Sequence, residues 1–137
     1  MRRKVLAGLW CLPVLAFVND TFFTLALVRD DGMLPLTKRG DFVLVDRRNK
    51  NLGGGERRVN HVVLIRNPEA DRGESQLRLI RRIAQHPFHR GGELVMKKDN
   101  QECTEARDSK QFGPIPEALV LGHVLAVVFP PWRVSKV

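Results

Sequence analysis

The sequence predicts a mostly β domain, and three observations carry that prediction. The runs DFVLVD, HVVLIRNP and GGELVMKKDN are short, rich in β-branched residues and bounded by turn formers. After residue 30 the 3.6-residue periodicity of an amphipathic helix is almost absent, while Gly, Pro, Asn and Asp recur at strand-length intervals. The chain has 137 residues, 43% of them hydrophobic and 28% charged, enough for one domain with its own core and too few for two.

Taken in order, the elements begin with MRRK, followed by VLAGLWCLPVLAFV over residues 5–18, about 14 apolar residues before Asn19 and Asp20 interrupt. A membrane-spanning helix needs roughly 20 such residues. Three readings compete: a signal peptide, a short or tilted membrane anchor, and a buried helix. No small-x-small cleavage site follows, which favours a retained anchor or a helix buried against a partner. Residues 1–28 are therefore expected to form a basic and apolar N-terminal segment, and residues 29–137 a β domain.

Within that domain DFVLVD and HVVLIRNP read as strands joined by the polar loop RRNKNLGGGERR. Its triple glycine lacks the GK[ST] of a phosphate-binding loop and reads as a connector. QLRLIRRIA favours a strand, although a short helix fits its tail equally well. RDSKQFGPIP is expected to be an irregular loop, because Gly113, Pro114 and Pro116 oppose regular structure. EALVLGHVLAVVFPPW reads as a buried strand that Pro130 and Pro131 stop.

The formal charge of +8 and a pI near 10.3 predict attraction to polyanions, whether anionic lipid, nucleic acid such as rRNA, or an acidic protein face. Basic residues cluster at Arg2, Arg3 and Lys4, at Arg47, Arg48 and Lys50, at Arg57 and Arg58, at Arg78, Arg81 and Arg82, and at Lys97 and Lys98. No aromatics interleave them and the chain has no tyrosine, so base stacking is poorly supported while phosphate contact stays open. Cys11 and Cys103 form no CxxC and no disulfide framework. His86 and His89 have no second pair at ligand spacing, so neither a metal nor any other cofactor is expected.

Three blocks and a tail then have to be read together: GMLPL, LIRRIAQHP, KKDNQECTEARDSKQFGPIP and VFPPWRVSK. In this order and spacing they resemble the type I signal peptidase family, in particular the second subunit of the mitochondrial inner membrane peptidase. The likeness runs from about residue 20 to the end and includes nine consecutive positions in DSKQFGPIP. It implies a signal-peptidase-like (LexA-type) β fold with an N-terminal apolar helical segment, located at the mitochondrial inner membrane. The positions it carries as structural motif are Met33, Pro35, Arg82, Asp99, Asn100, Asp108, Ser109, Phe112, Gly113, Pro114 and Pro116.

The chemistry of that family needs a serine hydroxyl as nucleophile and a neutral lysine amine as general base. The resemblance places the serine on Gly32, which has no side chain, and the lysine on Arg81, whose guanidinium stays protonated at any working pH. A supporting serine falls on Ala106, a motif glycine on Lys98 and a motif arginine on Lys110. Asp30 and Asp31 flank the missing nucleophile, where acceptors oppose an oxyanion. Shifting the register recovers nothing, because residues 29–36 contain no serine. Ser109, Ser135, Thr37 and Lys38 could substitute only in a new geometry.

The catalytic positions are thus degenerate, and Arg81 is expected instead to be a structural cation paired with Asp30, Asp31 or Asp108. Three functions follow as expectations. The first is a catalytically inactive, signal-peptidase-like subunit supporting a partner, which in this family would be a catalytic peptidase subunit. The second is a scaffold component of a large mitochondrial assembly: a ribosome, a ribosome-assembly intermediate or a respiratory complex. The third is an active serine endopeptidase processing mitochondrial sorting signals through displaced residues.

Overall fold

The computed structural model describes residues 12–17, 21–48, 59–70, 78–84 and 93–137. The triple glycine, His86, His89 and Cys11 lie outside them. Residues 12–17 are helical (α1), and the rest is built on strands β1 (Phe23–Leu27), β2 (Phe42–Asp46), β3 (Val62–Arg66), β4 (Arg78–Ala84), β5 (Glu93–Lys97), β6 (Ile115–Pro116), β7 (Val120–Phe129) and β8 (Ser135–Lys136). A single helical turn, α2 (Ser109–Phe112), precedes β6. All the strand pairs are antiparallel, in the order β1-β2-β7-β3-β4-β5-β6, with β8 added to β7.

The ten-residue β7 is the hub, because it pairs with β2, β3 and β8. Its start and end differ in surroundings. Val120, Val124 and Val127 are buried, whereas Val128 and Phe129 are exposed, so the expected buried strand loses its cover at its last two residues. β3 is the opposite case: Val62, Val63, Leu64 and Ile65 are all buried. A strand covered on both faces reads as an unbroken apolar run, which is what VVLI is. Val62 and Leu64 join one cluster with Val43, Val45, Ile80, Val124 and Met33; Val63 and Ile65 join another with Leu79, Ile83, Leu94, Met96 and Ile115.

Two expectations are corrected. TFFTLALV, residues 21–28, falls within the expected N-terminal segment, yet Phe23–Leu27 is an edge strand in register with β2, Leu25 opposite Leu44 and Leu27 opposite Phe42. Its alternation of inward Ala26 with outward Leu25 and Leu27 is strand patterning. RDSKQFGPIP is not irregular either. Asp108 caps α2 by accepting from the Lys110 amide at 3.0 Å, while the Gln111 side chain accepts from the Asp108 amide at 2.9 Å. This reciprocal box starts a helix despite the prolines that follow. Gly113 then ends it at φ 76°, where a side chain would be strained, and Leu94 pairs with Ile115.

The outer face of β1, β2 and the far end of β7 is apolar and open. Leu25 is 51% exposed, Phe129 51% and Trp132 82%, and the Phe42 and Phe129 rings meet edge to face at 6.0 Å. In α1, Leu12, Val14, Leu15 and Phe17 are exposed as well. Among the described residues no helix is long and apolar enough to cross a membrane.

Burial predicts a contrast between two leucines. Leu64→Ala, in the two-sided strand, should cost about 2–5 kcal/mol, whereas Leu25→Ser on the open face should change stability by no more than about 0.5 kcal/mol. Denaturant midpoints measured on both variants check this.

Candidate functional site

Three segments converge on one buried point: the β1–β2 connection, β4, and the stretch from Lys98 to Asp108. Arg81 is fully buried on β4, opposite Val63. Its Nη1 and Nη2 donate to the two Asp30 carboxylate oxygens at 3.2 and 2.8 Å. Nη1 also donates to the Ile80 carbonyl at 2.6 Å, and Nε to the Arg107 carbonyl at 2.6 Å. A buried charge needs both a counter-charge and satisfied hydrogen bonds, and the guanidinium fork has both. Of the three aspartates that the sequence offered as partners, the structure selects Asp30. Asp31 accepts from the Arg39 amide, and Asp108 is occupied by the helix cap and, at 3.4 Å, by the Lys98 amide.

Gly32 lies in the same knot. Its amide donates to Asp30 Oδ1 at 3.1 Å, and its carbonyl accepts from the Asn100 amide at 2.8 Å. The Asn100 side chain donates to the Asp31 carbonyl at 3.1 Å. A Cβ placed on Gly32 would stand 2.7 Å from the Ala106 Cβ, 3.1 Å from Arg81 Nη1 and 3.2 Å from Asp30 Oδ1. Gly32, Arg81 and Ala106, 74 residues apart at their extremes, are therefore neighbours in space. No room is left there: Ala106 and Arg81 are fully buried, and the approach to Gly32 is blocked by a methyl group that cannot swing aside.

Among the described residues the point brings together no nucleophile and base. It holds no hydroxyl, its cation cannot release a proton, and a carboxylate takes the Gly32 amide. The four candidate substitutes differ in their surroundings. Ser109 Oγ accepts from the Met96 amide at 2.7 Å, Ser135 and Lys38 are exposed, and Thr37 is buried with no hydrogen-bond partner for its hydroxyl among the described residues.

Lys98 was read only as a departure from a motif glycine, but it organises the site. It is buried, and its ammonium donates to the Cys103 carbonyl at 2.6 Å and the Ala106 carbonyl at 3.0 Å. This holds Ala106 against Gly32. Nothing in the KKDNQ run signals which of the two lysines turns inward; the alternation of β5, with Met96 in and Lys97 out, decides it.

The remaining motif residues shape the surroundings. Arg82, next to Arg81, turns the other way and grips Asp99 through Nε at 2.9 Å and Nη2 at 2.7 Å, with Nη1 on the Asn60 carbonyl at 2.8 Å. The Asp99 carboxylate holds the Arg82 pKa above its ordinary value by this hydrogen bond. Met33 is buried in the first core, and the Leu34–Pro35 peptide is cis. Phe112 packs beside the second core, and Pro114 and Pro116 follow α2.

Among the described residues, cavities lie elsewhere. One of about 650 Å³ is lined by Asp46, His61, Arg82, His123, Ala126 and Lys136 among others; one of about 340 Å³ by Met96, Ser109, Lys110 and Pro114. Neither reaches Gly32 or Arg81. In the larger, the His61 and His123 rings meet edge to face at 5.5 Å; its Asp46 is hydrogen-bonded by the Arg48 guanidinium, which also lies over the Phe23 ring. That hydrogen bond, opposed by burial, holds the Asp46 pKa below the usual carboxylate range. Among the described residues no group of His, Cys, Asp and Glu is arranged to hold a metal ion.

No protein-family model matches the chain, and no curated protein matches it in sequence.

Arg81→Met should strand the Asp30 carboxylate and destabilise the fold by about 3–5 kcal/mol, measured by denaturant unfolding. Gly32→Ala should cost about 1–3 kcal/mol by overpacking, and Ala106→Gly should offset part of that cost in the double variant, which a thermodynamic cycle detects. Removing Arg48 as Arg48→Gln should raise the Asp46 pKa, read by NMR titration. Because the folded Asp46 pKa is depressed, its contribution is present above the ordinary carboxylate pKa and lost as pH falls through the depressed one. The stability gap between wild type and Arg48→Gln should therefore be widest at neutral pH and close in acid.

Proposed function

We propose that this protein is a non-catalytic, signal-peptidase-like subunit that supports a partner, in the manner that the resemblance to the mitochondrial inner membrane peptidase implies. The observation that carries this reading is the Gly32–Arg81–Ala106 junction. The resemblance assigns these three positions to nucleophile, base and supporting serine, and the fold brings the three together with an ion pair in place of a reactive pair. Positions that the resemblance assigns to the scaffold make structural contacts here, which supports the reading: Asp108 caps α2, Arg82 grips Asp99, Met33 fills the core. Loss of both reactive groups of a serine hydrolase leaves at most a residual acceleration, about 10³ to 10⁴ over water in one well-studied case.

The same reading proposes a mitochondrial location at the inner membrane, with the apolar N-terminal segment, exposed over residues 12–17, meeting lipid or a partner. A second reading, a scaffold of a large mitochondrial ribonucleoprotein or respiratory assembly, is favoured by the +8 charge.

Purified protein offered a presequence peptide should not cleave it, and affinity purification from mitochondria should return a stoichiometric partner that keeps serine and lysine. Cleavage by wild type that vanishes in Arg81→Met, with that variant still folded, would overturn the non-catalytic reading. A partner list made up of ribosomal or respiratory proteins would select the second reading.

A further inference from the structure

Strand β4 carries three arginines, and the surroundings of two make the third informative. Arg81 has Asp30. Arg82 stands directly opposite Lys97 of β5, a like-charge pairing, but Asp99 neutralises it in a bidentate grip. Arg78 stands directly opposite Arg66 of β3, both exposed at the end of the ladder. Neither has an ion pair or a side-chain hydrogen bond among the described residues. Like charges directly opposed in an antiparallel pair are destabilising, and a guanidinium cannot relieve the repulsion by losing its proton. An anion from outside can.

The opposed residues have Cβ atoms about 5 Å apart, so both forks can donate N–H groups to one tetrahedral oxyanion. We propose that Arg66 and Arg78 form a clamp for a phosphodiester of a nucleic-acid backbone. Lipid headgroups share the chemistry, but the position of the pair argues against them. Ile65 pairs with Val120 at the start of β7, whereas the open apolar residues Phe129 and Trp132 lie at or beyond its far end. Ten residues of strand separate the two, about 30 Å. A bilayer meeting the apolar face would leave the arginines in water. Among the described residues no aromatic side chain is placed by register beside the pair, so the contact is to backbone, with little dependence on base sequence. The overall charge of +8 draws a polyanion towards it. The inference does not rest on the loss of catalysis.

The test uses the full chain, a short RNA hairpin as probe and fluorescence anisotropy over a salt series. Arg66→Gln/Arg78→Gln should weaken binding about tenfold or more at moderate salt and lower the slope of log K against log salt by about 1 per arginine. Arg29→Gln/Lys38→Gln, which removes the same charge elsewhere, should lower it less. Without RNA, Arg78→Gln alone should raise the melting temperature by relieving repulsion. Equal losses in the two double variants would overturn the clamp in favour of a diffuse field. A lowered melting temperature would mean that the chain already neutralises the pair. Failure of wild type to bind the hairpin, while it binds anionic vesicles or polyglutamate, would overturn the nucleic-acid assignment.

Discussion

A guanidinium taken wholly out of water constrains everything around it, and Arg81 is such a group. It needs a carboxylate and enough acceptors for its fork, and it takes them from three separate segments: Asp30, Ile80 and Arg107. Compared with an apolar residue of the same size, a buried ion pair adds little net stability, but breaking it is costly. Its effect here is therefore geometric. The β1–β2 connection and the Lys98–Asp108 stretch are tied to β4 in one arrangement, and Gly32 and Ala106 are pressed together as a result.

That arrangement explains why no room is left at Gly32. A serine at position 32 would need space that the Ala106 methyl group fills, and Lys98 holds Ala106 in place through its carbonyl. A lysine at position 81 would carry one point charge where three nitrogens now reach three residues. Gly32, Arg81, Lys98 and Ala106 are interlocked, each fitting the others.

The charges outside the site sort by whether they are answered. Asp99, Asp46, Asp41 and Glu105 each hold an arginine, and Arg107 pairs with Glu69. Arg66 and Arg78 face each other. The open apolar surface gathers on β1, β2 and the far end of β7, so it and the arginine pair lie at opposite ends of the longest strand.

Much of this was legible in the sequence for local reasons. VVLI and FVLVD read as strands because β-branched runs bounded by turns have few alternatives, and the missing hydroxyl and free amine at Gly32 and Arg81 are facts of residue identity. Even the structural role of Arg81 followed from the permanence of its charge. What the sequence left open were matters of relative position. Three aspartates could have answered Arg81, and only the packing of the loops chose Asp30. TFFTLALV continued an apolar stretch and became an edge strand because β2 offered it a register. DSKQFGPIP became a capped turn and a strand because Asp108 could reach two amides and Ile115 could reach Leu94. Side-chain chemistry is a local property and can be read one residue at a time. Which charge is neutralised, which methyl group fills a void and which arginine is left facing another depend on long-range contacts, and those exist only once the sheet has closed.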